Sequence, residues 1–326
     1  MSTDVLCLRP EADFTRVDAP APATLRVAYR KPDDADVPAL MRASDALIIP
    51  AVGPKLAPTL FDGGRVRLVQ VTGAGLDRLE REAMVGLGIP VANVAGGSNS
   101  ALAEYAVTTA SMLLRRFAWA DAELKSGNYA AFRACMVADN LAGLEGLTVG
   151  LVGFGTIGLA VAQAFHRTGC RVCYFDPAPR NPEAGREIGA EPVALDALLA
   201  RSDVVSLHVP LLKETTGLIG ARELNLMKPS AVLIQASRGG VVDEAALAAH
   251  LAAGRIGGAA VDVYSTEPPT PDNPLLRLGG EGARRLLLTP HIAGVTRQSW
   301  TYLFRSAWEN IERVLLRGEP PLNRSY

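Results

Sequence analysis

GLTVGLVGFGTIGLAVAQAF, residues 146–165, holds no charge and is as long as a membrane-spanning helix. Its glycines argue for another reading. Gly150, Gly153, Gly155 and Gly158 would break one continuous helix, but they suit a strand, a tight turn and a second helix. Gly153, Gly155 and Gly158 form G-x-G-x-x-G directly after strand-like TVGLV and before helix-like TIGLAVAQAF, the context that a lone glycine motif lacks. In such a turn the first glycine permits the reversal, the second lets a pyrophosphate approach the backbone, and the third lets helix and strand pack closely. The anion then lies on free amides at the helix start. Asp176 ends the next strand, 18 residues beyond Gly158, where a carboxylate can accept from both hydroxyls of an adenosine ribose. It would repel a 2′-phosphate, which favours NAD over NADP; Arg180, four residues on, argues the other way.

Outward from this turn the pattern repeats. RVCYF, DVVSLHV, AVLIQA, GGAAVDV and RLLLT are short β-branched or apolar runs, separated by helical segments such as 157–168 and 243–253. Continuous apolar strands alternating with helices imply a parallel sheet covered on both faces. Upstream, LRVAYR, DALIIP, VRLVQVTG and IPVANV repeat the theme as a separate, smaller α/β unit. Between the two units, apolar residues at 103, 106, 107, 110, 113, 114 and 117 follow a helical period toward Gly127. That spacing predicts one helix of about 25 residues, roughly 38 Å long, able to bridge two domains. The tail from about 293, through SWTYLF and AWENIERVLL, reads as one last helix ending at Gly318. The predicted fold is therefore α/β, with two doubly wound parallel-sheet domains. A Rossmann dinucleotide-binding domain over 99–292 is inserted in a second, discontinuous α/β domain made of 1–98 and 293–326.

Composition narrows the function classes. The 326 residues carry 33 basic and 34 acidic groups, for a net charge of −1, so nothing recommends nucleic acid or an anionic membrane as partner. The first residues lack a basic start, an apolar core and a small-residue cleavage site, which makes the cytoplasm the expected compartment. Cys170 and Cys173 form C-x-x-C, but on a strand their sulfurs would point to opposite faces, and no second pair completes a zinc site. No metal is expected.

Ligands of doubly wound sheets sit outside the carboxyl ends of the strands. Arg238 follows AVLIQA, Glu267 follows GGAAVDV after a short loop, and His291 follows RLLLTP. These three suit hydride transfer to a ketone beside a carboxylate. A guanidinium is always charged and offers a planar fork for the carboxylate and the carbonyl. The carbonyl oxygen gains negative charge as hydride arrives and needs a proton donor titrating near neutrality, which fits His291. A neighbouring carboxylate, assigned to Glu267, would orient the ring and favour imidazolium. Gly239 and Gly240 would leave room beside Arg238. Taken singly, Arg238 reads equally well as a structural ion-pair partner, Glu267 as a loop acid and His291 as a satisfied structural histidine. His166 and His250 lie in amphipathic helices, and His208, at a strand end, would line the cofactor.

VGFGTIG, SDVVSLHVPL, MKPSAVLIQASRGGVVDEAAL, GAAVDVYSTEP and LLLTPHIAG resemble, in order and spacing, the D-isomer-specific 2-hydroxyacid dehydrogenases. The resemblance covers nearly the whole chain and implies that the inserted domain binds NAD and that the discontinuous one is a flavodoxin-like substrate domain. It implies that Arg238, Glu267 and His291 are the catalytic arginine, acid and proton donor. It implies NAD contacts from Gly153, Gly155, Thr156, Ile157 and Gly158 in the turn, and from Asp176. Further contacts would come from the strand end His208, Val209 and Pro210, from Ala236 and Arg238, and from His291 and Gly294, with Asp262 holding the nicotinamide carboxamide. VTGAGLD looks like the substrate-domain loop whose amides, at Gly73, Ala74 and Gly75, take the substrate carboxylate beside Arg238 and His291. The same resemblance implies a homodimer built through the cofactor domains. Relatives often carry G-x-W where this chain has Gly127, Asn128 and Tyr129. After DALIIP, phosphoglycerate dehydrogenases carry a basic residue; here the chain reads Pro50, Ala51, Val52 and Gly53, so a phosphorylated substrate lacks one anchor. The expected activity is NAD-dependent interconversion of a small 2-keto acid and its D-2-hydroxy acid, of the hydroxypyruvate or glyoxylate type. The alternative is a dinucleotide-sensing corepressor-like binding protein that shares the fold.

Overall fold

The computed structural model describes residues 4–326. The chain forms two compact units, one running through Ser98 and resuming at Val295–Tyr326, the other Asn99–Gly294. In the first unit β1 (Val5–Cys7), β2 (Val27–Tyr29), β3 (Ala46–Ile49), β4 (Leu68–Val71) and β5 (Val91–Ala92) build one parallel sheet in the order β2-β1-β3-β4-β5. This is the flavodoxin-like doubly wound order. Alternation along the strands sends Leu6, Leu47, Ile49 and Val69 to one face with Met41 and Met84, and Val5, Cys7, Ala46, Ile48 and Leu68 to the other. That second face is covered by Phe14 and by Phe304, Trp308 and Ile311 of the helix Arg297–Leu315. Four strands coincide with the expected apolar runs. The fifth, β1, comes from VLC, which is too short to show a period in the sequence.

The second unit carries β6 (Thr148–Val152), β7 (Arg171–Phe175), β8 (Glu191–Pro192), β9 (Val204–Leu207), β10 (Val232–Gln235), β11 (Gly258–Val261) and β12 (Leu286–Leu288). They run parallel in the order β12-β11-β10-β9-β6-β7-β8, the Rossmann order extended by one strand. Val149, Leu151, Val172, Tyr174, Val204, Val232, Ile234 and Ala260 face one core; Val152, Cys173, Val205, Leu207, Leu233, Ala259 and Val261 face the other. Cys170 belongs to the first of these cores and Cys173 to the second. Cys170 Sγ donates to the Leu144 carbonyl at 3.1 Å, while Cys173 Sγ lies 3.9 Å from Ser202 Oγ. Among the described residues no helix is long and apolar enough to cross a membrane.

The expected 25-residue helix is not continuous. It stops as Asn99–Leu114 and a second helix, Phe117–Lys125, begins after Arg116, whose φ of 52° is left-handed. A left-handed residue cannot continue an α-helix. Arg116 is held there by an ion pair with Asp139 and lies over the Trp119 ring. Helix Asn99–Leu114 instead packs within the second unit, against the helix Thr156–Arg167 and strands β10 and β11.

Candidate active site

The glycine turn leaves β6 and enters the helix Thr156–Arg167. Each glycine is required for a different reason. Gly153 has φ +97°, and a Cβ there would lie 2.5 Å from the His208 carbonyl and 2.9 Å from Val209 Cγ1. At Gly158 a Cβ would strike the Gly153 carbonyl at 2.3 Å. At Gly155 it would meet nothing within 4 Å, so this side of the turn is open. No hydrogen bond among the described residues uses the amides of Gly155, Thr156 or Ile157. An open glycine above unsatisfied first-turn amides is what a pyrophosphate needs. Asp176 is tied into the turn: its Oδ2 accepts from the Phe154 amide at 2.7 Å and its Oδ1 from the Ala178 amide at 2.8 Å. An ionised carboxylate has about four acceptor positions, so two remain for the ribose hydroxyls expected there. These residues fit a dinucleotide.

β9 reaches the same end of the sheet beside β6, and His208, Val209 and Pro210 follow it. The His208 amide donates to the Val152 carbonyl at 2.7 Å, and its Nε2 lies 2.9 Å from Ser206 Oγ. Although the residue keeps some solvent exposure, burial of the ring dominates and pushes its pKa down to about 4. The imidazole is therefore neutral at pH 7 and cannot serve as a proton donor.

Adjacent parallel strands β10, β11 and β12 deliver the three expected catalytic residues to one end of the sheet. His291 Nδ1 lies 2.8 Å from Glu267 Oε2, while Glu267 Oε1 accepts from the Tyr264 amide at 3.1 Å. Glu267 is thereby fixed at both oxygens, and its bond to Nδ1 leaves Nε2 as the ring nitrogen that can give or take a proton. His291 has a left-handed backbone, φ 54°, held by its amide bonding to Asp262 O at 2.8 Å and Thr289 O at 3.1 Å. Strain of this kind in a non-glycine residue persists only where the surroundings over-determine it.

Asp262 is the reason. It is 1 % exposed, and its Oδ1 accepts from Thr289 Oγ1 at 2.5 Å and the Ile292 amide at 2.8 Å, its Oδ2 from the Ala293 amide at 2.8 Å. That leaves one acceptor position, on Oδ2, for the nicotinamide carboxamide expected there. Tyr105, on the helix Asn99–Leu114, bonds Thr289 Oγ1 at 2.8 Å and extends the network. Arg238 is placed by Gln235, whose Nε2 donates to the Arg238 carbonyl at 2.9 Å and whose Oε1 accepts from Ser237 Oγ at 2.8 Å. Arg238 Nη1 donates to the Ser237 carbonyl at 2.8 Å, and Ala236 sits half-buried between strand and arginine. Gln235, Ser206, Thr289 and Tyr105 were not singled out in the sequence. Their roles depend on partners far along the chain or on a turn geometry that carries no residue pattern.

One expectation is corrected. Gly239 does not leave space beside Arg238: a Cβ there would sit 1.7 Å from the Tyr264 carbonyl, so the glycine is demanded by close backbone packing. Gly240 has φ +83°, and its glycine serves the turn. The cavity of about 710 Å³ along the exposed face of helix Arg297–Leu315, lined by Arg297, Thr301 and Arg305 among others, uses no triad or glycine-turn residue.

In the first unit the loop after β4 carries Gly73, Ala74 and Gly75. Asn93 Nδ2 donates to the Ala74 carbonyl at 2.8 Å, and the Val94 amide to the Gly73 carbonyl at 3.0 Å. With the carbonyls so held, no hydrogen bond among the described residues uses the amides of Gly73, Ala74 or Gly75. Successive free amides make an anion-binding concavity.

Residues 107–293 match the family model for the D-isomer specific 2-hydroxyacid dehydrogenase NAD binding domain. A glyoxylate reductase of Thermococcus litoralis is 36% identical over 287 residues, 87% of this chain and 84% of that protein. A D-3-phosphoglycerate dehydrogenase of Archaeoglobus fulgidus is 37% identical over 72% of this chain, which spans only 42% of that longer relative. The holo crystal structure of Rhodotorula graminis D-mandelate dehydrogenase superposes with a TM-score of 0.83 at 26% identity, over 99% of this chain and 97% of that one. The sequence match thus covers the unit that holds the glycine turn, the oriented histidine and the strand-end arginine. The chain belongs to the D-isomer specific 2-hydroxyacid dehydrogenase family, an NAD(H)-dependent oxidoreductase.

Proposed function

We propose that the protein reduces a small 2-keto acid to its D-2-hydroxy acid in the cytoplasm, or runs the reverse reaction, with glyoxylate- or hydroxypyruvate-type substrates preferred over phosphoglycerate. The observation that carries this reading is the 2.8 Å bond from His291 Nδ1 to Glu267, on the strand end beside the one that carries Arg238. Bound NADH supplies the hydride. Gly153 to Gly158, Asp176, His208 to Pro210, Ala236, Asp262 and Gly294 hold it; Arg238 takes the carboxylate and polarises the carbonyl. His291 Nε2 gives its proton to the oxygen as negative charge develops there, and Glu267 orients the ring and favours the imidazolium that gives it. The amides of Gly73, Ala74 and Gly75 take the substrate carboxylate.

The loop Pro50, Ala51, Val52, Gly53 offers no basic side chain to a phosphate, which supports the unphosphorylated class. Homodimer formation through the second unit belongs to the same reading. The large apolar residues Phe117, Leu124, Tyr129 and Val137 lie exposed along its two helices Phe117–Lys125 and Tyr129–Ala138. Sedimentation of the protein at micromolar concentration tests that point.

The test of the reaction is a panel of 2-keto acids, phosphorylated ones included, scored by loss of NADH absorbance and repeated with NADPH. His291→Ala should lower kcat by roughly 10²–10⁴-fold, with a far smaller effect on NADH affinity. Unaltered turnover in that variant refutes the proton-donor role, and no turnover of any keto acid by the native protein refutes the reading as a whole.

A further inference from the structure

Arg78 is a buried cation without a counter-charge. It is 2 % exposed, and no carboxylate pairs with it among the described residues. Its Nε donates to the Pro54 carbonyl at 2.8 Å and its Nη1 to the Pro50 carbonyl at 3.2 Å, while Nη2 is buried with no partner. Burial pushes its pKa below the usual arginine value, yet a guanidinium stays charged in a protein. Arginine is almost never fully buried unless paired, because moving a charge out of water is costly. A cost of this kind calls for a structural return, and the two carbonyls that the fork grips show where it lies.

The position of Arg78 indicates what that return is. The fork closes the loop 50–54, which leaves β3, by gripping the carbonyl at each end of it. Gly53, at φ +134°, lies close to the guanidinium, where a Cβ would come within 3.3 Å of it. The next loop, Thr72–Asp77, leaves the adjacent parallel strand β4 at the same carboxyl end and leads directly into Arg78. The two loops touch: a Cβ on Gly73 would lie 2.8 Å from that of Ala51. Arg78 therefore braces the loop 50–54, and that loop in turn touches the Gly73–Gly75 loop with its three unused amides. The three amides are donors, and together they suit one small anion.

We propose that Arg78 is a specificity-determining positioning residue, which clamps the loop 50–54 beside the Gly73–Gly75 amides and biases that pair of loops toward the carboxylate of the substrate. This rests on the reading of the Gly73–Gly75 loop as the carboxylate subsite. Arg78 touches neither coenzyme nor reacting atoms, so its effect belongs in substrate affinity and not in the chemical step.

The experiment is steady-state kinetics of Arg78→Met and Arg78→Lys with glyoxylate, alongside calorimetric titration of oxamate into each protein saturated with NADH. Arg78→Met should raise KM for glyoxylate and Kd for oxamate at least 10-fold, with kcat within 3-fold and NADH affinity unchanged. Arg78→Lys keeps the charge but loses the fork, and should fall between Met and native. A folded Arg78→Met with native KM and Kd overturns the proposal, as does a loss confined to kcat. If Arg78→Met does not fold, Arg78→Lys decides: a rise of 3-fold or more in both constants upholds the role and native values refute it. Should the native protein turn over no keto acid, the functional reading fails separately, and oxamate affinity still judges Arg78.

Discussion

Two buried charges, one in each unit, are treated in opposite ways. Asp262 in the second unit is surrounded by donors from its own chain, Thr289 and the amides of Ile292 and Ala293. Arg78 in the first unit uses two of its nitrogens on carbonyls and leaves a third with nothing. Both lie past the carboxyl end of a parallel strand, where α/β sheets bind ligands. The contrast separates two uses of a buried ion. Asp262, held by three donors, braces the loop that carries His291, whereas Arg78, held at two nitrogens, braces the loop 50–54.

The sharpest way to break this comparison is to neutralise each charge and compare stabilities. Asp262→Asn removes the charge and, with its oxygen kept toward Thr289 and Ile292, turns an amide donor toward the Ala293 amide, and should destabilise the protein by about 3 kcal/mol, with a clear drop in the thermal midpoint. Arg78→Met takes the donors from the Pro50 and Pro54 carbonyls but also removes a buried cation that no carboxylate offsets, and because the two effects oppose, stability should change by less than about 1 kcal/mol. Equal losses in the two variants would show that Arg78 is as fully satisfied as Asp262 and that the distinction is false.

A third buried ionisable group sharpens the same point with pH. His208 has its pKa lowered from 6.5 to about 4, so below pH 6.5 the unfolded chain binds a proton that the folded one refuses. The stability that neutral His208 contributes is complete above pH 6.5 and is lost as pH falls from there toward 4. The loss is at most about 3 kcal/mol, less what partial solvation of the residue removes. Denaturant titrations between pH 7.5 and 4.5 should show a shallower slope in His208→Gln than in the native protein. An identical slope would mean that the imidazole is not buried in the neutral form.

The smallest effect tests how far the bracing around Asp262 extends. Thr289→Val removes one donor to Asp262 and one partner of Tyr105, and should cost about 1 kcal/mol. It should also lower kcat more than it raises KM, because the loop it steadies carries His291. A variant with native kcat would place the whole burden on the Ile292 and Ala293 amides.

Much of this organisation was legible before the coordinates. The glycine turn and the ends of β10, β11 and β12 announce themselves, because strand, turn and helix each impose a local rule that a short window satisfies or breaks. The residues that complete the site did not. Arg78 follows Asp77 in a loop that reads only as an anion-binding turn, and nothing nearby shows that its guanidinium is buried under Pro50 and Pro54. Gln235 reads as one more residue in an apolar strand, though its side chain knits the turn that presents Arg238. Strand β1 spans three residues and β8 two, below the length at which alternation is visible. The break at Arg116 needed Asp139 and Trp119, which the helical period of residues 103–117 does not contain.

From the amino-acid order alone came the two parallel-sheet units, the dinucleotide turn and the three residue types suited to hydride chemistry, since each depends on neighbours a few positions away. Only the folded arrangement decided which charges are paired and which are left unpaired. Burial and hydrogen bonding join residues hundreds of positions apart, and the free energy of an ion is set by the groups around it in space.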